Sequence, residues 1–288
     1  MEVFLQLLVS GAAIGFIYAL VGLEYTIVYN ATNLLNFAHD KFIMLGAYFF
    51  VGTFILDLGL PIWLAIVLSL IIMFLFGVVV SMGIFNPLRN MDSRLFAIMG
   101  TIALGRIINE MARLVWGALP LSITGFMTGV FRFGNIVISK ANVLIIVIAV
   151  LMVLSLHLYM KHTKMGKAMR CINQNKAAST LMGINVGQNI NLTLGISAVI
   201  CGVIGILLVP MYNVESSMAT MIGMKGFAAG VVGGFGYIPG AILGGILVGL
   251  VETLSVMFLP AVYKDCVAFA LLIVFLLIRP LGILGHRR

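Results

Sequence analysis

The residues of this chain that could take part in chemistry are ionisable ones within apolar stretches of the sequence. His39 and Asp40 are neighbours in a short polar stretch between two apolar runs. Adjacent residues on a helix point about 100° apart, so these two are poorly placed to form a proton-relay dyad. No serine or cysteine nucleophile motif and no HExxH zinc motif accompanies them. We therefore predict that the chain is not an enzyme and has no catalytic residue, and that this stretch anchors a loop or lines a cavity.

Further charged residues interrupt the apolar segments, namely Glu24, Arg106, Glu110, Arg113 and Glu252. Charge inside a bilayer is costly, so each of them should face protein, a membrane interface or water. Arg106 and Glu110 are spaced i, i+4, and we favour a structural ion pair between them over a transported-ion site. Glu24 comes near the end of the first apolar segment, from which it can reach the interface.

The motifs predict neither a metal site nor nucleotide hydrolysis by this chain. Cys171, Cys201 and Cys266 are far apart and lack CxxC spacing, so we interpret them as small packing residues. The one Gly-Lys pair, Gly166-Lys167, is followed by alanine and does not belong to a GxxxxGK[ST] phosphate loop. We expect no cofactor in this chain. If transport is driven by ATP, the nucleotide and its Mg²⁺ must bind a separate ATPase subunit.

These residues belong to a chain that has the composition of a membrane protein. Of its 288 residues, 62% are apolar and 9% are charged, and the mean hydropathy is +1.19. A soluble domain has about 45–50% apolar and about 25% charged residues. A spanning helix needs roughly 20 apolar residues, and irregular backbone cannot face lipid unsatisfied. We predict one all-α transmembrane domain over residues 1–288 with these apolar segments: Val3–Tyr29, Leu34–Leu56, Ile62–Phe85, Leu95–Trp116, Ala141–Met160, Gln188–Tyr212, Phe227–Leu259 and Val262–Ile278.

The net charge of +8 is concentrated in a few stretches between the apolar segments. These stretches are the loop with Arg89 and Arg94, the polar stretch Tyr159–Val186, and the C-terminal tail with Arg279, Arg287 and Arg288. The positive-inside rule places all three in the cytoplasm and the N-terminus outside. Basic and aromatic residues are not interleaved, so we exclude nucleic acid as a partner.

Two of the apolar segments are interrupted. Phe227–Leu259 is too long for one crossing and short for two, and glycines with Pro239 break it. We predict half-length or tightly packed helices that meet near residues 230–240, and a second interruption near residues 34–42. Paired interruptions in two halves are typical of transporters with a central site. The alternative, that the glycines serve only close helix packing, is equally open.

Tyr159–Val186 is the longest polar stretch, and we interpret it as the face through which the chain meets a soluble partner. The alternative is a solvated basic loop that only fixes topology. That alternative would explain the charge, but it would not explain the apolar residues within the stretch. We predict that these residues are apolar contacts for the partner, namely Met169, Ile172, Leu181 and Met182.

Four stretches, in order along the chain, together resemble the LivH-type permeases of branched-chain amino acid ABC transporters. They are Ile17–Tyr48, Gly166–Val186 (GKAMRCINQNKAASTLMGINV), Gly223–Leu254 and Tyr263–Gly285. The resemblance implies a multi-pass permease subunit of the bacterial inner membrane. It also implies a second, related or identical permease subunit, two cytoplasmic ATPase subunits and a periplasmic binding protein that delivers the substrate.

The resemblance also implies roles for particular residues. A cytoplasmic coupling loop at residues 161–187 would contact the ATPase through Gly166, Lys167, Arg170, Gln174, Asn175, Ala177, Met182 and Gly183. The substrate pathway would include the two interruptions, with Asn36, Phe37, His39, Gly233, Gly234 and Gly236.

The chain departs from the family pattern next to that pathway. Asp40 and Lys41 replace the Gly and Glu of the family's NFAHG-E pattern, and Glu24 stands where glycine is expected. Branched-chain amino acids are the default substrate, with other amino acids, urea and short amides as alternatives. The rival function is an ion- or proton-coupled secondary transporter of a small polar solute, active without an ATPase and sensitive to Glu24 or Glu252.

Overall fold

The computed structural model describes residues 2–89, 94–123, 125–133, 136–279 and 281–285. Arg287 and Arg288 of the predicted cytoplasmic tail lie outside these residues. The α-helices in the described residues are α1 (Glu2–Thr32), α2 (His39–Tyr48), α3 (Ile62–Val80), α4 (Asn86–Arg89), α5 (Arg94–Trp116), α6 (Lys140–His162), α7 (Lys164–Gln174), α8 (Lys176–Leu181), α9 (Val186–Leu208), α10 (Thr220–Gly233), α11 (Ile238–Ser255) and α12 (Lys264–Ile278).

Eight helical segments within the described residues are long and apolar enough to cross a membrane, which confirms the predicted all-α membrane class. Two of them continue through wider π-helical turns, Phe49–Asp57 after α2 and Ser81–Phe85 between α3 and α4. A 3₁₀ turn, Ala261–Tyr263, precedes α12. The predicted segment Phe227–Leu259 is divided between α10, which is shorter than a span, and the full-length α11.

The chain forms two compact units. The first comprises residues 1–26, 124–153 and 221–288, and the second comprises residues 27–123 and 154–220.

In the first unit, α1 packs along α11 through glycines on both helices. Gly11 and Gly15 of α1 face Gly245 and Gly249 of α11, and a Cβ added at Gly15 would lie 2.9 Å from the Cα of Ile246. Small residues four apart let two helix backbones approach closely. These glycines therefore position α1 against α11.

In the second unit, α9 packs against α2 and α3, again through backbone contact. A Cβ added at Gly46 of α2 would lie 2.6 Å from the Cα of Gly202, and one added at Gly77 of α3 would lie 2.5 Å from the Leu194 carbonyl oxygen. Most residues of α9 are buried. This helix is the centre of the second unit.

A short β-hairpin lies between α5 and α6, in the stretch between two of the predicted apolar segments. Strands β1 (Val130–Phe133) and β2 (Ile136–Ser139) pair antiparallel, with Val130 opposite Ser139. Both strands are rich in Val, Ile and Phe, which favour extended backbone. A hairpin of this length gives only a weak sequence signal, so the sequence did not predict it.

Candidate functional site

The first predicted interruption lies between α1 and α2, at residues 33–38 of the second unit. Helix α1 ends where Asn33 adopts a left-handed conformation with φ of 58°. The backbone N–H of Leu34 then donates to Thr32 Oγ1 at 3.1 Å. At the start of α2, Asn36 Oδ1 accepts from the Ala38 N–H at 3.0 Å. Side chains thus satisfy backbone groups that the interrupted helix leaves open.

The three predicted pathway residues of this interruption differ in exposure. The side chains of Asn36 and His39 are buried, whereas Phe37 is 39% exposed. Phe37 is held in place by its backbone N–H, which donates to Thr101 Oγ1 of α5 at 3.3 Å. Asn36 Nδ2 has no hydrogen-bond partner within the described part of the chain. Phe37 is therefore the exposed member of this group, and the role of all three residues in the substrate pathway stays a prediction.

Asp40 and Lys41, the two departures from the family pattern, belong to a local polar network. Lys41 Nζ lies 3.1 Å from the Ser216 carbonyl oxygen, 3.3 Å from Thr220 Oγ1 and 3.3 Å from Asp40 Oδ2. Thr220 Oγ1 also donates to Asp40 Oδ2 at 3.2 Å. An ammonium group has three N–H donors, and these acceptors account for all of them. The network connects the start of α2 to Ser216 and to Thr220, the first residue of α10.

Helix α5 exposes Arg106, Glu110 and Arg113. Glu110 Oε2 lies 3.6 Å from Arg113 Nη1, and Glu110 Oε1 accepts from Asn109 Nδ2 at 3.1 Å. The ion pair of Glu110 is therefore with Arg113, and the predicted pair with Arg106 is wrong. An i, i+3 spacing brings two side chains onto the same helix face, as i, i+4 does. An arginine at the centre of a span costs about 2.5–3.5 kcal/mol on insertion scales.

The second predicted interruption lies in the first unit, between the end of α10 at Gly233 and the start of α11 at Ile238. Gly234 and Gly236 have φ of 117° and 90°, values that favour glycine. The carbonyl groups at the end of α10 are not open to a solute. Those of Val232 and Gly233 accept from the N–H groups of Ile283 and Leu284 at 2.9 and 3.1 Å.

The glycines of this interruption bring the two helix backbones into contact. A Cβ added at Gly240 would lie 2.5 Å from the Gly233 carbonyl oxygen, and one added at Gly234 would lie 2.7 Å from the Gly285 nitrogen. Close packing of the backbone therefore explains why glycines occupy these positions. The role of Gly233, Gly234 and Gly236 in the substrate pathway stays a prediction.

A buried ionic cluster joins four helices of the first unit. Lys225 of α10 lies 2.7 Å from Glu252 Oε1 of α11 and 2.5 Å from Asp265 Oδ1 of α12. Tyr18 of α1 donates from its hydroxyl to Glu252 Oε2 at 2.9 Å. The Lys225 and Glu252 side chains are 5% and 3% exposed, and that of Asp265 is 38% exposed.

The polar stretch 159–186 folds as two short helices with side-chain caps. Thr163 Oγ1 accepts from the Gly166 N–H at 2.9 Å at the start of α7, and Asn175 Oδ1 accepts from the Ala178 N–H at 3.0 Å at the start of α8. Helix α8 ends at Leu181, and Gly183, two residues later, has a φ of 81°. The caps explain the Thr and Asn residues of the stretch, because such side chains satisfy the open N–H groups of a helix start.

The predicted ATPase contacts lie on the outer surface of this pair of helices, with one exception. The exposed residues are Lys167, Arg170, Gln174, Asn175, Ala177, Met182 and Gly183. Gly166 is buried, because α7 crosses the end of α6 there and a Cβ would meet the Met160 Cα and the Tyr159 carbonyl oxygen.

The apolar residues of the stretch divide into two groups. Leu181 and Met182 are 90% and 83% exposed, as a contact surface requires. Met169 and Ile172 are 6% and 4% exposed, so their predicted role as contacts for a partner is wrong. They lie on the inner face of α7, because helical spacing places 169 and 172 together on one side.

Helix α7 lies beside the last turn of α1, which belongs to the second unit. Met169 and Arg170 share a small cavity with Asn30 and Ala31, close to the end of α1. Asn189 Nδ2 of α9 donates to the Met165 carbonyl oxygen at 3.4 Å. The seat of α7 is thus next to the helix end that leads into the interruption at residues 33–38.

The chain matches a known protein family over almost its whole length. The family described as "Branched-chain amino acid transport system / permease component" matches residues 7–276. This chain belongs to that family. The high-affinity branched-chain amino acid permease proteins LivH of Escherichia coli strain K12 and BraD of Pseudomonas aeruginosa are similar to it, with 33% and 35% identity. Each alignment covers 98% of this chain and 96% of the relative.

A more distant relative has the same full-length match. The probable branched-chain amino acid permease protein LivH of Methanocaldococcus jannaschii is 27% identical over 97% of this chain and 92% of its own. The chain is therefore a multi-pass membrane permease component, and the predicted resemblance is confirmed.

Several charged groups of this permease component were misplaced or missed by sequence reasoning. Glu24 has 0% exposure, so its predicted location at the membrane interface is wrong. Lys225 and Asp265 were not predicted as partners of Glu252. The signal that was available is a lysine within a short apolar helix, because a buried charge needs an opposite charge.

Proposed function

We propose that this chain is the permease subunit of an ATP-driven importer and translocates amino acids, by default branched-chain ones, delivered by a periplasmic binding protein. The observation that carries the proposal is the match over residues 7–276 to a family described by that transport system. The importer would lie in the bacterial inner membrane. It would contain a second, related or identical permease subunit and two cytoplasmic ATPase subunits, which bind the ATP and Mg²⁺.

The ATPase would dock on the exposed surface of α7 and α8. Leu181 and Met182 offer apolar contacts there, and Lys167 and Arg170 offer charged ones. A solvent-exposed apolar pair flanked by cations is a surface that a protein partner can bury. The orientation that follows places the basic stretches and the C-terminus in the cytoplasm.

Movement of the ATPase would reach the pathway through α1. Helix α7 is seated beside Asn30 and Ala31, and α1 ends at Thr32, directly before the interruption at residues 33–38. A displaced α7 therefore acts on the helix end that carries Asn36 and Phe37. Asn36 and His39 would hold the shape of the interruption, and Phe37 would contact the apolar part of the substrate.

The rival function, ion- or proton-coupled transport by this chain alone, depended on Glu24 or Glu252. Glu252 forms an ion pair with Lys225 and accepts a hydrogen bond from Tyr18. The buried ion pair and the hydroxyl contact give Glu252 a structural role, so its presence within a span is explained without ion coupling.

Co-purification tests the proposal. The tagged chain is isolated in mild detergent from its native host, and bound proteins are identified by mass spectrometry. We expect ATPase subunits at one copy or more per permease chain. Isolation of the chain alone, with uptake activity after reconstitution without ATP, would contradict the proposal and favour the rival.

A further inference from the structure

Helix α5 carries an exposed arginine in the middle of a membrane-spanning segment. The segment runs over Leu95–Trp116, and Arg106 lies within its central turns. In the part of the chain that the structure describes, no carboxylate pairs with Arg106, since the carboxylate of Glu110 forms its ion pair with Arg113. A guanidinium group stays charged at any physiological pH. An exposed guanidinium group at such a position needs water, a solute or another protein chain as its partner.

Lipid is a poor partner for this side chain. Trp116 lies ten positions after Arg106 in the helix, and at 1.5 Å per residue the arginine lies about 15 Å from that end of the span. Arginines near helix ends reach the interface by extending along the helix, but one at the centre is far from both interfaces. Ionisable residues at that depth face a water-filled cavity or another protein.

The surroundings of Arg106 lead to the interruption at residues 33–38. A Cβ added at Gly105, the preceding residue, would lie 3.4 Å from the Cα of Ala38. One helical turn earlier, Thr101 accepts the hydrogen bond from the Phe37 N–H. Phe37 is 39% exposed, and Ile102 of α5 is 48% exposed. A cation thus lies on a helix whose neighbouring exposed surface is apolar and adjoins the polar interruption.

This combination fits the two parts of an α-amino acid with an apolar side chain. A guanidinium group binds a carboxylate through two parallel hydrogen bonds, which fix both position and orientation. Phe37 and Ile102 offer an apolar surface of the kind that a branched side chain contacts. We propose that Arg106 lines the translocation pathway and binds the carboxylate of the transported amino acid. The proposal rests on the proposed function.

Accessibility of position 106 to water tests the first half of the proposal. In a complete transporter lacking Cys171, Cys201 and Cys266, the variant Arg106→Cys is treated with a membrane-impermeant cationic methanethiosulfonate reagent. We expect modification, slowed by saturating leucine. The matched control is Leu75→Cys, an exposed residue within the span Ile62–Leu88, which should stay unmodified. A cysteine at 106 as unreactive as the one at 75 would place Arg106 against lipid or a partner subunit and overturn the proposal.

Transport kinetics test the second half. In the reconstituted transporter, Arg106→Gln should raise the KM for leucine at least tenfold, and Arg106→Lys should raise it less because the charge remains. Leucinamide, which lacks the carboxylate, should inhibit leucine uptake weakly in the unmodified transporter. Its inhibition constant should change less than twofold in Arg106→Gln. Arg113→Gln, on the same helix, should leave the KM unchanged.

The outcomes separate this inference from the proposed function. Leucine uptake with an unchanged KM in Arg106→Gln would contradict the inference and leave the function intact. An unmodified transporter that does not take up any amino acid would contradict the proposed function and the carboxylate ligand together. Modification of position 106 would still be the measure of whether α5 lines a watery pathway.

Discussion

Lys225 Nζ lies 2.7 Å from Glu252 Oε1, and both side chains are almost completely buried. They come from α10 and α11, the two helices that the glycine interruption separates. Lys225 also binds Asp265 of α12, and Glu252 accepts the hydroxyl donor of Tyr18 on α1. The pair is thus the centre of a polar cluster in the first unit, where glycines also bring the backbones of α1, α10 and α11 into contact.

Replacement of Lys225 by methionine should destabilise the protein strongly. The variant leaves the Glu252 carboxylate buried without its cation, and removing one member of a buried pair costs roughly 3–5 kcal/mol. We expect a lower midpoint of thermal unfolding in detergent, followed by fluorescence-detected size exclusion. The double variant Lys225→Met, Glu252→Gln should be more stable than Lys225→Met alone. Strictly additive losses in the two single variants and the double variant would contradict the pairing.

Addition of one methyl group at Gly46 should destabilise the second unit. The Cβ of an alanine there would lie 2.6 Å from the Cα of Gly202, and two helix backbones must separate to admit it. Such overpacking costs about 1–3 kcal/mol. The matched control is Gly83, which is also helical but has no atom within 4 Å of an added Cβ. Gly83→Ala should leave thermal stability unchanged or raise it, since alanine is the better helix former. Equal stabilities of the two variants would show that α2 and α9 tolerate wider spacing.

The native cysteine of α7 provides a test of orientation. Cys171 is exposed, and the basic stretch that contains it is predicted to lie in the cytoplasm. In a variant with Cys201→Ala and Cys266→Ser, a membrane-impermeant maleimide should label inside-out vesicles and leave intact spheroplasts unlabelled. Leu119→Cys in a cysteine-free chain should give the opposite result, because α6 separates its loop from the basic stretch and the loop therefore lies on the outer side in this topology. Labelling of Cys171 from the outer side would reverse the assigned topology.

The exposed apolar residues of α8 should be needed for coupling. Leu181→Ser with Met182→Ser removes the apolar part of the proposed ATPase contact without disturbing a buried residue. We expect at least a tenfold loss of ATP-dependent uptake and weaker retention of the ATPase subunits, with unchanged thermal stability of the permease. Leu119→Ser, at a position 80% exposed in another loop, is the matched control and should leave uptake unchanged. Normal uptake in the α8 variant would place the ATPase contact elsewhere.

The spans and both interruptions could be predicted from the sequence because each has a strong local signal. Continuous apolar runs predict helices that cross a membrane, and Asn33–Asn36 and Gly233–Gly236 interrupt such runs with residues that end helices. The basic, capped stretch that became α7 and α8 was predicted as a separate element for the same reason. Its inner and outer faces were not separated, which is why Met169 and Ile172 were assigned to the wrong side.

The contacts between distant segments could not be predicted. Lys225 and Asp265 are separated by 40 residues, and no local pattern relates them to each other or to Tyr18. Helical spacing allows Glu110 to pair with either Arg106 or Arg113. Side-chain conformation determines which pair forms, and in the structure it is the pair with Arg113. Burial of Glu24 likewise depends on which helices surround α1, and the sequence of α1 alone contains no such information.

ATP-dependent uptake in proteoliposomes tests the central claim most directly. The permease is reconstituted with its co-purified subunits and the binding protein, and accumulation of radiolabelled leucine is measured with ATP, with a non-hydrolysable analogue and with an imposed proton gradient. We predict accumulation with ATP only, and loss of that accumulation when the ATPase subunits are left out. Accumulation by the permease chain alone, driven by the proton gradient, would contradict it.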